Sequence, residues 1–147
     1  MSYLLDTNVI SDFYNVDADN HAKIVSKMLE LGNTQVYVSM LTIYEFEYAL
    51  ANCPDSKRTK IETTIAKIVR DFCVLNLSVK QAKIFGNLKA QYKTLKQINA
   101  ENIKKHSIDL MIAATALDYD LTIVSADKIY SDVQSLRADF KLENWTL

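Results

Sequence analysis

Glycine and proline are nearly missing from these 147 residues: Gly32, Gly86 and Pro54 are the whole set. A glycine-rich phosphate loop of either common type needs several glycines close together, so none exists here. Collagen-like, linker-like and most β-sandwich readings fall as well, because those chains are turn-rich. Cysteine is also scarce. Cys53 and Cys73 are too few for a disulfide framework and lack metal-ligand spacing. A reducing cytoplasm is therefore the expected setting. No apolar run approaches the roughly 18 residues of a membrane span. The opening MSYLLD has no basic segment and its apolar run stops at Asp6, which argues against a signal peptide. Excess charge of one sign is lacking too: 17 basic against 18 acidic residues give a net charge of −1. A nucleic-acid partner must then be judged from where the charges sit.

What is present is ordinary globular composition, 49% apolar and 24% charged, which excludes a disordered chain. The length suits one domain over residues 1–147 with a core of its own. Tyr3–Leu5, Val36–Val38, Val74–Leu77 and Leu121–Val124 read as strands, and Leu142–Trp145 as a final edge strand. Helical patterns separate them. His21–Leu31 stops at Gly32-Asn33, and Leu41–Ala51 is broken at Asn52-Cys53-Pro54-Asp55. Arg58–Phe72 is amphipathic, and Ser78 opens a helix towards Leu95 with Ala82, Phe85, Leu88 and Tyr92 inward. Ser107 is expected to cap a helix through Asp118 that is apolar nearly all round, hence buried. Strands separated by helices predict an α/β fold: a three-layer α/β/α sandwich around a central parallel sheet of four to five strands.

In such a sheet, ligands bind beyond the carboxyl ends of the strands. Four acids fall at or near that edge. Asp6 ends the first strand, Glu45 lies early in the helix after the second, Asp109 opens the buried helix, and Asp127 follows the fourth strand. Each has a plain structural reading: Asp6 and Asp127 as helix caps, Glu45 completing a Thr42-x-x-Glu45 capping box, Asp109 complementing a helix dipole. None of these readings requires all four to share one edge. Two carboxylates about 5 Å apart repel by roughly 3 kcal/mol at an effective dielectric of 20. A cluster of four suits a hard divalent cation such as Mg²⁺ or Mn²⁺. Glu47, about 200° round the helix from Glu45, cannot join them. Asp118 and Asp120 read as solvated, and Asp12, Asp17 and Asp19 as loop charges.

Four segments carry a resemblance. Leu4-Leu5-Asp6-Thr7-Asn8-Val9-Ile10, Ser39-x-x-Thr42-x-x-Glu45-Phe46, Asp109-x-x-Ile112-Ala113-Ala114-x-Ala116 and Ser125-x-Asp127-x-x-Tyr130 occur in that order. Together they resemble the motifs of PIN-domain ribonucleases, particularly VapC-type toxins of toxin–antitoxin pairs. Ala49 stands where many members carry glycine, and Tyr130 replaces the usual phenylalanine. The resemblance implies metal-dependent endonucleolytic cleavage of RNA, with Asp6, Glu45, Asp109 and Asp127 holding Mg²⁺ or Mn²⁺. It also implies a VapB-like antitoxin partner and a homodimer. Asn8 and Ser125 are candidates for orienting a carboxylate or water. From Lys80 to His106 seven lysines face one acid, Glu101, and Lys89, Lys93 and Lys96 share a helix face that could follow an RNA backbone. Ile43, Tyr44, Phe46, Tyr48 and Leu50 surround one helix and suggest a partner groove with the helix after it.

Two other sites are excluded. A receiver domain needs paired acids after its first strand and a phospho-acceptor aspartate after the third. Here Asp6 stands alone and the third strand ends Asn76-Leu77-Ser78. A haloacid-dehalogenase phosphatase needs D-x-D where this chain has Asp6-Thr7-Asn8. The remaining alternative is a non-catalytic PIN-like module that binds RNA or protein.

Overall fold

The computed structural model describes residues 1–147. Five short strands, β1 (Tyr3–Leu5), β2 (Val36–Ser39), β3 (Cys73–Leu75), β4 (Thr122–Val124) and β5 (Lys141–Glu143), form one sheet in the order β3-β2-β1-β4-β5. Every pairing is parallel. The central strands are apolar on both faces because both are covered. Leu4 and Ile123 point into one core, while Tyr3, Leu5 and Val124 point into the other.

The first of these cores lies under α5 (Val79–Lys96), α6 (Ala100–Ile103), α7 (Ser107–Tyr119) and α8 (Lys128–Leu136). The second lies under α1 (Thr7–Tyr14), α2 (His21–Leu31) and α4 (Asp55–Asp71). Between the layers, α3 (Met40–Ala51) sends Leu41 to the first core and packs Ile43 and Phe46 against the second. The expected α/β/α sandwich is therefore realised with five strands. No helix is long and apolar enough to cross a membrane.

Several local expectations shift. Ser107 does not cap α7; it is itself helical, because a single 3-10 turn over Lys104–His106 runs straight into the helix. The third strand ends at Leu75, two residues short of the apolar pattern, and the fifth lies at 141–143 rather than 142–145. Asp12 lies within α1, not in a loop. On α5 the inward position falls to Gln81 and not to Ala82. The Gln81 side chain bridges α5 to α7. Its amide donates to Asp118 Oδ2 at 3.2 Å, and its oxygen accepts from Thr115 Oγ1 at 3.2 Å. Asp118 is consequently not solvated; Lys80 Nζ completes its partners at 3.1 Å. Asp120 is exposed as expected and closes α7 in the left-handed conformation, φ 54°, with Lys141 Nζ at 2.7 Å.

The order β3-β2-β1-β4-β5 places a switch point between β1 and β4. From β1 the chain winds outwards to β2 and β3, then returns to β4 on the other side. Connections on the two sides run over opposite faces, which leaves a crevice at the carboxyl ends of β1 and β4.

Candidate active site at the sheet switch point

Asp6 leaves β1 directly into this crevice. Its backbone N–H continues the ladder to Val124 O at 3.1 Å, and its extended backbone makes it the N-cap of α1. One carboxylate oxygen, Oδ1, accepts from the Thr7 backbone N–H at 2.9 Å, and the other, Oδ2, accepts from Ser125 Oγ at 2.9 Å. Capping and site membership were set against each other in the sequence, but a carboxylate has two oxygens and Asp6 divides them. Asp127 Oδ1 caps α8, accepting from the Ile129 N–H at 3.0 Å, and the residue is otherwise exposed.

Glu45 arrives from α3, whose true cap is Ser39, accepting from the Leu41 N–H at 3.1 Å. Thr42 is therefore not a capping residue. It lies buried inside the helix, one turn before Glu45 and on the same face. Thr7 Oγ1 sits between them, donating to Glu45 Oε1 at 2.6 Å and lying 3.0 Å from Thr42 Oγ1. Asn8 is exposed on α1, so the group from this turn that engages a site carboxylate is Thr7. The Ser125 hydroxyl donates to Asp6 and accepts from the Asp127 N–H at 3.0 Å. Thr7 carried one sequence signal, its place directly after the strand-ending acid.

Asp109 stands half-buried in the first turn of α7. Its pKa is pushed up to about 7, first by burial and then by Asp6, Asp127 and Glu45, with the Tyr130 hydroxyl opposing. The Asp6 carboxyl is also raised, chiefly by burial; Ser125 and Thr7 pull it down, and Asp127 and Glu45 push it up. The four acids thus share one electrostatic environment. The Tyr130 hydroxyl lies beneath them, 3.4 Å from Asp6 Oδ1, with its pKa driven well up by burial and by Asp6, Asp109 and Asp127.

The chemistry of this set fits a hard divalent cation: four carboxylates with several hydroxyls beside them. As the side chains stand, no three acidic, histidine or cysteine groups converge on one coordination point. Thr7, Ser125 and the helix amides occupy oxygens that a cation would otherwise take.

Of the three lysines, Lys93 is exposed on the last turn of α5. Lys96 is tied to Asp132 at 3.3 Å, and Lys89 lies over the Phe85 ring at 5.5 Å. This end of α5 adjoins the acids, since burial and the charges of Asp132, Asp127 and Asp109 together raise the Tyr92 pKa. His106 stands beside it, its ring edge-on to Tyr92 at 5.3 Å. Its pKa is lowered first by burial and next by Lys105, with Asp127 opposing.

A comparison with curated protein sequences finds no match. Solved structures of the same fold exist. VapBC2 from Rickettsia felis, bound to a DNA fragment from its promoter, is similar at a TM-score of 0.76 and 19% identity over 99% of each chain. FitAcB from Neisseria gonorrhoeae is similar at a TM-score of 0.75 and 25% identity over 97% of each chain. VapBC-5 from Mycobacterium tuberculosis, a member of the VapBC family of toxin–antitoxin systems, gives 0.64 and 18%, covering 97% of this chain and 96% of that one. The family model described as the PIN domain matches residues 3–136. That match spans all four acid-bearing segments, and the chain belongs to the PIN domain family, a family of nucleases.

Proposed function

We propose that this chain is a metal-dependent endoribonuclease acting as the toxin of a toxin–antitoxin pair. The observation that carries the reading is the placing of acids at the switch point, where Thr7 and Ser125 tie Asp6 to Glu45 and Asp127. These four residues would hold Mg²⁺ or Mn²⁺. Bound there, the cation would lower the pKa of a water and stabilise charge on the scissile phosphate. Ser125 and Thr7 orient Asp6 and Glu45 through their hydroxyls. No side chain is assigned as nucleophile. Water attack leaves a 5′-phosphate and a 3′-hydroxyl. Lys93 is the best placed of the three lysines for the RNA backbone, with Lys89 and Lys96 as its neighbours on α5.

The partner reading rests on the neighbours, which are VapBC and FitAB assemblies. A VapB-like antitoxin and a homodimer are proposed on that ground, with residues 1–147 acting as one PIN-like domain in the cytoplasm. Tyr44 and Tyr48, 69% and 71% exposed one turn apart on α3, supply aromatic surface for such a partner.

The alternative is a non-catalytic module that binds RNA or protein. A single experiment separates the readings. Purified protein is incubated with total cellular RNA in Mg²⁺ or Mn²⁺, with EDTA and Asp6→Asn as controls and the cut ends mapped. Discrete cuts bearing 5′-phosphates, lost in both controls, are expected. RNA binding with no metal-dependent cut would favour the module, and cuts that survive EDTA would overturn the mechanism.

A further inference from the structure

Tyr130 closes the core beneath the acids. The residue is fully buried, and its ring stacks on Phe140 with centroids 6.2 Å apart and planes 19° apart. Only the hydroxyl reaches the polar side. It donates to Asp6 Oδ1 at 3.4 Å. Core packing accounts for the ring but not for the oxygen. A phenylalanine would fill nearly the same volume, and a buried hydroxyl is unfavourable unless it is hydrogen-bonded. Asp6 is thereby held from three directions: the Thr7 N–H, Ser125 Oγ and Tyr130. The first two belong to segments at the crevice rim, whereas Tyr130 is anchored by the packed core.

We propose that Tyr130 is a positioning residue of the acid site: its hydroxyl fixes the Asp6 carboxylate from the core side, so that this ligand is already oriented when a divalent cation binds. The inference rests on the nuclease reading above and deepens it. A carboxylate already held in one orientation loses less freedom on binding, and partners that orient ligands in this way are worth about 10–100-fold in metal affinity.

The test uses full-length protein stripped with EDTA and titrated with Mn²⁺, free Mn²⁺ being followed by electron paramagnetic resonance. Melting curves in EDTA report folding. Tyr130→Phe keeps the ring and removes the oxygen; Phe140→Leu disturbs the ring packing and keeps the oxygen. Tyr130→Phe should fold and bind Mn²⁺ about tenfold more weakly. The Mn²⁺ concentration for half-maximal cleavage should rise by the same factor. Phe140→Leu should lose more stability and less affinity. Wild-type affinity in Tyr130→Phe, an equal loss in Phe140→Leu, or failure of Tyr130→Phe to fold would each overturn the positioning role. Wild-type protein that neither binds Mn²⁺ nor cuts RNA would overturn the nuclease reading itself, a different result from the other three.

Discussion

Asp109 is the residue whose surroundings oppose its charge most clearly. Its ordinary pKa is 3.8 and the folded value is about 7, so the native state holds the proton more tightly than the unfolded chain does. Stability is then fullest below about pH 4 and is lost as pH rises through about 7. Such a shift corresponds to about 4 kcal/mol, and exposure of the half-buried group reduces it to about 1–2 kcal/mol. Asp109→Asn in chelator at pH 8 should therefore raise the melting temperature by about 3–6 °C. At pH 4 the gain should vanish, and calorimetry at the two pH values checks both. Thr7→Val should leave the fold intact and weaken Mn²⁺ binding about tenfold, because Glu45 loses the hydroxyl that orients it; a titration of the variant against wild type decides. The positions of Asp6, Asp109 and Asp127 could be read from the sequence because they end strands or begin helices, where a parallel sheet opens its crevice; Glu45, a turn further into α3, is less direct. The hydroxyls were less so. Thr42 sat in a capping-box pattern, and only the structure shows that Ser39 caps the helix and frees Thr42 to face Thr7.

Helix pairing is where sequence periodicity misled. The α5 pattern pointed Ala82 inwards on hydropathy, but Gln81 takes that place because Thr115 and Asp118 offer it both a donor and an acceptor. Apolar periodicity cannot see a polar residue satisfied by partners 34 and 37 positions away. Gln81→Ala should cost about 1–2 kcal/mol in urea unfolding, since it removes both bonds of a buried amide while Thr115 keeps Met111 O and Asp118 keeps Lys80. Its Mn²⁺ binding should be unchanged. The end of α5 offers the opposite change. Gln97 closes the helix in the left-handed conformation, φ 52°, with its N–H bonded back to Lys93 O and Thr94 O. Glycine adopts that conformation without a Cβ penalty, so Gln97→Gly should stabilise by about 1 kcal/mol in the same assay. The strands, by contrast, were readable almost to the residue where they are central. Apolar runs covered on both faces leave little ambiguity, while the edge strands β3 and β5 are only half-covered, and their limits drifted.

For the whole molecule, a net charge of −1 conceals an uneven distribution: acids gather in the crevice, and lysines line the helix beside it. Long-range attraction of RNA then depends on the lysines that are not already paired. Lys93→Gln should weaken RNA binding and lower the slope of log affinity against log salt by about 1, as one phosphate contact is lost. Lys96→Gln should change the slope less, because Asp132 already neutralises that ammonium. Filter binding across a salt series checks both. The bond from Ser125 to Asp6 links positions 119 residues apart and has a temporal meaning as well. The first acid leaves the ribosome early, but the hydroxyl that holds it and the last acid at Asp127 are among the final parts to be made. A nascent chain therefore carries only fragments of its crevice beside the RNA-rich machine that is building it. The four acids can gather only after release of the β4 segment, by which time a waiting partner can meet a finished surface.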